Sequence, residues 1–65
     1  MQLPLLTDSQ CHRFLKELRE FGYPQLTFAE VRKAADAIHN GTNSDTDVIA
    51  VIMRKQIVEA VEDMQ

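Results

Sequence analysis

Apolar residues recur at helical spacing in two stretches of the chain. In residues 8–21 every third or fourth position is apolar, at Cys11, Phe14, Leu15, Leu18 and Phe21. In residues 28–40 the same period runs through Phe28, Val31, Ala34, Ala35 and Ile38. A stripe of this period is typical of an amphipathic helix that buries one face. The pattern therefore predicts two helices, at about 8–21 and 28–40.

Cap residues mark the ends of both predicted helices. Thr7-Asp8-Ser9-Gln10 and Thr27-Phe28-Ala29-Glu30 have the form of a capping box, in which the Thr hydroxyl and the Gln or Glu side chain satisfy free amides. Gly22 suits the left-handed closure of the first helix, and Pro24 prevents it from resuming. Gly41 has the same closing role after the second helix.

A third helix is predicted from residue 45 to residue 64. This stretch holds no Gly or Pro, and at about 20 residues it would be roughly 30 Å long. Residues 48–52 are mostly β-branched and also suit a strand, but nothing else in the chain offers a pairing strand. We therefore expect residues 1–65 to form one all-α domain, a small three-helix domain with a long C-terminal third helix.

The third helix has more apolar surface than two shorter helices could cover. Its apolar residues repeat with steps of 3 and 4, the spacing of a coiled-coil seam, at Ala50, Met53, Ile57, Ala60 and Met64. One interpretation is that the helix end frays, or that Leu3, Leu5 and Leu6 fold back onto it. The alternative is that this surface binds a second chain.

We predict a homodimer through this helix. The predicted interface is Ala50, Met53, Ile57, Ala60, Val61, Met64, Lys55 and Glu59. In the antiparallel register that we favour, Ile57 meets its own copy and Lys55 lies opposite Glu59, so that unlike charges pair across the interface.

The charge balance points toward protein partners. The chain has a net charge of −3 and a pI near 5.1, and the whole excess falls in residues 45–65. We therefore expect a small acidic, non-enzymatic protein–protein interaction module, a regulator or inhibitor of a larger partner that is not identified by the sequence.

No pattern of catalytic or metal-binding residues stands out. Cys11 lies on the apolar stripe, and neighbouring His12 diverges from it by about 100° on a helix. Together with His39 they fall short of the four ligands of a structural zinc site. Asp36 to Asp47 has the length of a calcium loop, but Ile38 stands where that loop needs an oxygen ligand. We expect no enzyme activity, cofactor or metal.

The alternative function is a DNA-binding transcriptional regulator of the helix-turn-helix type. Its support is the turn at Gly41 between the second and third helices, and six basic residues that could converge: Arg13, Arg19, Arg32, Lys33, Arg54 and Lys55. Against it, the third helix begins with Asp45 and Asp47 and is then apolar, whereas a recognition helix presents polar and basic residues. The acidic balance also argues against nucleic acid.

The sequence favours a cytoplasmic location. It has no apolar run of the roughly 20 residues that span a membrane. Its first residues lack the basic and apolar regions of a signal peptide, and a single cysteine suits a reducing compartment.

Two stretches of the chain resemble known protein families. Phe21-Gly22-Tyr23, the alanine-rich second helix and residues 48–52 resemble a ubiquitin-associated domain, which implies ubiquitin binding by that turn and the last helix. Here Phe21 replaces the family's Met, and the following linker is longer. Over residues 14–60, the spacing from Gly22 to Gly41 and the long apolar helix that follows are similar to small bacterial biofilm and acid-resistance regulators. Members of that group are acidic helical dimers. Neither resemblance assigns the chain to a family.

Overall fold

The computed structural model describes residues 2–64 and contains three helices: α1 (Asp8–Phe21), α2 (Phe28–Asn40) and α3 (Val48–Asp63). No strand occurs among these residues. The prediction of an all-α three-helix domain is confirmed, and α3, with 16 residues, is the longest helix.

Both capping boxes form as predicted. The Thr7 amide donates to Gln10 Oε1 at 2.8 Å, and the Gln10 amide donates to Thr7 Oγ1 at 3.2 Å. Thr27 and Glu30 repeat this exchange at the start of α2, with both distances at 3.3 Å. Each box satisfies amides that have no partner inside the helix.

Glycines close α1 and α2 at positive φ, also as predicted. Gly22 has φ 144° and Gly41 has φ 73°. The Gly22 and Tyr23 amides both donate to the Leu18 carbonyl, at 3.2 and 3.0 Å. These two bonds satisfy the Leu18 carbonyl in the last turn of α1 and turn the chain toward α2.

The start of α3 differs from the prediction, because residues 45–47 lie outside the helix. The side chain of Asp47, not Ser44 or Asp45, accepts the bond from the Ala50 amide, at 3.3 Å. Ser44 instead bonds Thr46 through its hydroxyl at 2.7 Å, and its carbonyl accepts from Asp47. The cap-forming side chains of the linker thus build a turn of their own, which shortens α3 to about 24 Å.

The helix α2 is the centre of the domain. Both α1 and α3 pack on α2, and they make little contact with each other. The inner face of α2 presents small residues that permit this close approach, and Val31, Ala34, Ala35 and Ile38 are all buried. Cys11, Leu15 and Leu18 of α1 and Ala50, Met53 and Ile57 of α3 complete the helical part of the core.

The segment before α1 folds back onto the helices. Leu3 and Leu6 are buried in the core, whereas Leu5 is 54% exposed. Nδ1 of His39 donates to the Leu3 carbonyl at 2.7 Å, and Arg32 donates to the Leu6 carbonyl at 2.8 Å. The fold-back interpretation therefore holds for Leu3 and Leu6 and not for Leu5.

Candidate functional site

An apolar groove lies between α1 and α3, which make little contact with each other. Two neighbouring cavities of about 300 and 120 Å³ follow it. The first half of α1 lies beside the second half of α3, so the two helices run antiparallel along the groove. We call this surface the α1–α3 groove; its lining includes Pro4, Phe14, Phe21, Ile52, Gln56, Ala60, Val61 and Met64.

The groove exposes large apolar side chains to solvent. Phe21 is 77% exposed and Met64 is 87% exposed. Between them Phe14, Ile52 and Val61 are half-buried. Single exposed apolar residues are common on soluble proteins, but a contiguous apolar patch in a concave surface is typical of a binding site.

Charged side chains of both signs border the groove. Arg13 and Glu17 of α1 line the cavities. On α3, Asp63 lies seven residues after Gln56, which places it along the same side of the helix. Glu59 borders the cavity on the outer face of α3, beside Lys55.

Three residues of the predicted dimer interface belong to the chain's own core. Ala50 and Met53 are fully buried, and Ile57 is 5% exposed. At these three positions the coiled-coil spacing therefore reflects packing within the domain and not contact with a second chain. A contact between Ile57 and its own copy would require the core to open.

The predicted antiparallel register combines residues from two faces of α3. Successive residues turn by about 100° around a helix, so Lys55 and Glu59, each two positions from Ile57, lie on the opposite face. Both are exposed while Ile57 is buried. Lys55 and Glu59 therefore face a different side of α3 from Ile57, and self-association through this helix stays a prediction.

Three other residues of the predicted interface, Ala60, Val61 and Met64, lie together on the groove. Ala60 and Met64 are exposed, Val61 is half-buried, and all three line the larger cavity. The sequence pattern places Phe14 and Phe21 in the buried stripe of the first helix, whereas both line the groove in the structure. The two residues are seven positions apart at one edge of that stripe, and this spacing is the sequence signal that could have indicated a shared exposed edge.

The outer face of α3 carries a second, smaller apolar surface. Val48 is 55% exposed, Val51 is 42% exposed and Val58 is half-buried. Lys55 and Glu59 lie on this side of the helix, beside Val51 and Val58, around a shallow cavity.

The candidate catalytic residues are held in structural contacts. Cys11 is fully buried, and burial raises the pKa of its thiol, which disfavours the reactive thiolate. The His12 ring stacks on Phe28, with the ring centroids 4.3 Å apart. His39 bonds the Leu3 carbonyl. Among residues 2–64 no three His, Cys, Asp or Glu side chains are grouped as metal ligands would be.

Two of the basic side chains considered for DNA binding also make contacts within the domain. Arg19 donates to the Leu26 carbonyl at 2.8 Å. Arg32 bonds Asp36 at 2.7 Å and contacts Asp8 at 3.3 Å. The first turn of α3 presents the exposed Val48, after the cap Asp47, rather than basic side chains.

Comparison with known proteins gives no relative for this chain: no protein-family model, curated protein or solved structure matches it. Neither family resemblance is supported by a match. Within the described part of the chain, every helix is too short or too polar to cross a membrane.

Proposed function

We propose that this protein is a non-enzymatic protein–protein interaction module, acting in the cytoplasm as a regulator or inhibitor of a larger partner. The observation that carries the proposal is the α1–α3 groove, which exposes Phe21 and Met64 beside the half-buried Phe14. Aromatic and other large apolar residues in a concave site commonly supply most of the binding energy of a protein interface.

The arrangement of the helices supports a protein partner over a small ligand. The groove extends along both helices, from Gln10 to Phe21 on α1 and from Ile52 to Met64 on α3. A small-molecule site typically encloses most of its ligand, whereas an elongated apolar groove between helices suits the apolar face of another helix.

Self-association through α3 belongs to the same proposal, with a revised surface. We infer that a second copy packs on the outer face of α3, where Val48 and Val51 are exposed. An antiparallel pair on this face holds the acidic C-terminal turns of the two copies apart. A parallel pair would bring Glu59 and Glu62 near their own copies, which is unfavourable. This dimer leaves the α1–α3 groove free for the larger partner.

The alternative, a DNA-binding regulator, is not favoured by any observation on the described residues. Titration of the chain with random duplex DNA at low salt tests it directly. Salt-dependent micromolar binding would support that alternative, since phosphate contacts dominate non-specific affinity.

To test whether the groove binds the partner, three immobilised proteins are compared for the proteins that each captures from native lysate. These are the natural chain, Ala60→Arg in the groove, and the same substitution at the exposed Ala29 of α2. We expect a protein that is retained by the natural chain and by Ala29→Arg and lost with Ala60→Arg. A partner retained equally by all three would contradict the groove as the contact surface.

A further inference from the structure

We propose that residues 2–6 are a releasable strap: a segment that opens and closes on the side of α2 while the helices stay folded, and whose closed state completes the α1–α3 groove. The link to the groove rests on the proposed function. The contacts that hold the strap, its register on α2 and the surface that it covers each support this role.

The strap is held in place by side chains. Residues 2–6 lie in no helix, strand or turn, and no backbone–backbone hydrogen bond joins these residues to the helices. Two side chains of α2 bind the strap instead: Arg32 donates to the Leu6 carbonyl at 2.8 Å, and His39 donates to the Leu3 carbonyl at 2.7 Å. A segment without backbone hydrogen bonds opens at a lower free energy than the helices around it.

The two donors match an extended chain in their spacing. Arg32 and His39 are seven residues apart, on the same side of α2 and separated by about 10.5 Å along its axis. The carbonyls of Leu3 and Leu6 are three residues apart, which is about 10 Å in an extended chain. Leu3 lies at the later donor, so the strap runs antiparallel to α2, with both leucines buried. One donor at each end gives the strap a single position in which it closes.

The closed strap forms part of the groove. Pro4 and Leu6 line the larger groove cavity together with Phe14, Ile57 and Ala60. Release of the strap would remove part of the wall of this cavity and expose the apolar surface on which Leu6 packs. An occupant of the cavity contacts the closed strap and therefore favours it, because a ligand shifts an equilibrium toward the state that it binds more tightly.

Strap closure and binding in the groove are therefore coupled, and the coupling is reciprocal. An occupant of the groove keeps the strap closed, and a weakened strap lowers the affinity of the groove. Arg32 separates the two events for experiment, because it holds the Leu6 carbonyl but lines neither groove cavity. Loss of this side chain should weaken the binding of an occupant that it does not touch.

Reaction of single cysteines with a thiol reagent tests whether the strap opens by itself. Leu3→Cys places a thiol in the strap, Leu15→Cys places one at a similarly buried position of α1, and Cys11→Ala removes the one natural thiol from both proteins. We expect the strap thiol to react at a rate that hardly changes at low urea, because it needs only local opening. The α1 thiol should react through global unfolding, at a rate that rises steeply with urea. The same steep dependence for both thiols would overturn the proposal.

Limited proteolysis of the natural chain gives a second measurement that needs no substitution in the core. A protease that cleaves at apolar residues should cut first within residues 2–6, at a rate that is insensitive to low urea. Arg32→Ala should speed this cleavage about tenfold because the Leu6 carbonyl loses its donor, and Lys33→Ala should leave the rate unchanged. First cleavage within a helix, or equal rates for the two variants, would contradict the strap.

Coupling to the groove is tested with a helical peptide of roughly fourteen residues, or about four turns, that carries a leucine stripe and glutamine on its other positions. At saturation the peptide should slow the reaction of the strap thiol severalfold, because it binds the closed state. Arg32→Ala should weaken peptide binding severalfold in fluorescence anisotropy, and Lys33→Ala should not. Faster reaction of the strap thiol with peptide bound would show that the strap competes with the occupant, and would overturn the proposal.

Failure of this proposal and failure of the proposed function give different results. If Arg32→Ala leaves both the peptide affinity and the captured lysate partner unchanged while Ala60→Arg removes them, the coupling is wrong and the groove remains a binding site. If the peptide does not bind, the lysate partner that is lost with Ala60→Arg should also be lost with Arg32→Ala, and its retention would overturn the coupling. If Ala60→Arg removes neither, the proposed function is wrong, and the coupling fails with it.

Discussion

Arg32 of α2 donates a hydrogen bond to the backbone carbonyl of Leu6, 2.8 Å away and 26 residues earlier in the chain. The same guanidinium bonds Asp36 and Asp8. One side chain thus ties the N-terminal segment to α2 and holds Leu6 in the core, at the end of the α1–α3 groove. Three separated acceptors suit the forked guanidinium better than the single ammonium of lysine.

The first prediction concerns this contact. Arg32→Ala should lower the free energy of unfolding by about 1–2 kcal/mol, because the buried Leu6 carbonyl loses its donor. Chemical denaturation measures this change. The neighbouring exposed residue supplies the control, and Lys33→Ala should change the stability by less than about 0.5 kcal/mol. Equal effects of the two substitutions would show that Arg32 does not hold the segment.

The two helix-closing glycines should respond differently to substitution. A Cβ would meet no neighbouring atom at Gly22 or Gly41, so the cost of a side chain comes from the backbone conformation alone. Gly41 is in the left-handed region that asparagine tolerates, whereas Gly22, with φ 144° and ψ 12°, lies outside it.

Gly22→Val should therefore cost on the order of 1 kcal/mol or more, and Gly22→Asn should be more destabilising than Gly41→Asn. Melting temperatures of the three variants test this order. An unchanged melting temperature for Gly22→Val would contradict the closure described for α1.

The buried thiol of Cys11 should make the fold sensitive to alkaline pH. Burial raises the pKa of Cys11 above its ordinary value of 9.0, so the unfolded chain releases this proton at lower pH than the folded chain. Stability should fall as pH rises through 9.0 and continue to fall until the folded thiol also ionises. Denaturation between about pH 8 and pH 10.5 measures the slope, and Cys11→Ala should make it shallower. An identical slope in that variant would exclude Cys11 as the cause.

The dimer on the outer face of α3 is tested by a charge placed in its apolar patch. Val51 is 42% exposed, and Val51→Lys should weaken self-association, because an ammonium group in an apolar contact loses its hydration. Ala29→Lys at an exposed position of α2 is the control and should leave self-association unchanged. Light scattering at ~100 μM, where even a micromolar dimer is populated, measures both. A natural chain that is monomeric at this concentration contradicts the dimer, and equal effects of the two substitutions contradict the outer face of α3 as its surface.

The sequence predicted the elements well because their signals are local. The capping boxes at Thr7 and Thr27 and the closing Gly22 and Gly41 each depend on residues within one turn of a helix end. The start of α3 was predicted too early because Ser44, Asp45 and Asp47 are all cap formers, and only the folded turn decides which of them caps the helix.

The site was harder to predict because it depends on which face of each helix the domain covers. The seam through Ala50, Met53 and Ile57 fits a core and an interface equally well, and the domain uses it as a core. Phe14 and Phe21 have the spacing of core residues, but they lie at the edge of the apolar face of α1 that α3 does not cover. The contacts of Arg32 and His39 with the N-terminal segment join residues far apart in the chain, and no local pattern predicts them.

The central claim is that the α1–α3 groove is the surface by which this protein binds a partner. Amide NMR of the labelled full chain, titrated with an amphipathic helical peptide that carries a leucine stripe and glutamine on its other positions, tests it most directly. We expect the largest shifts at Phe14, Phe21 and Ala60, with Ala29 and Lys33 on α2 unaffected. Shifts that are absent, or that are largest on the exposed side of α2, would contradict it.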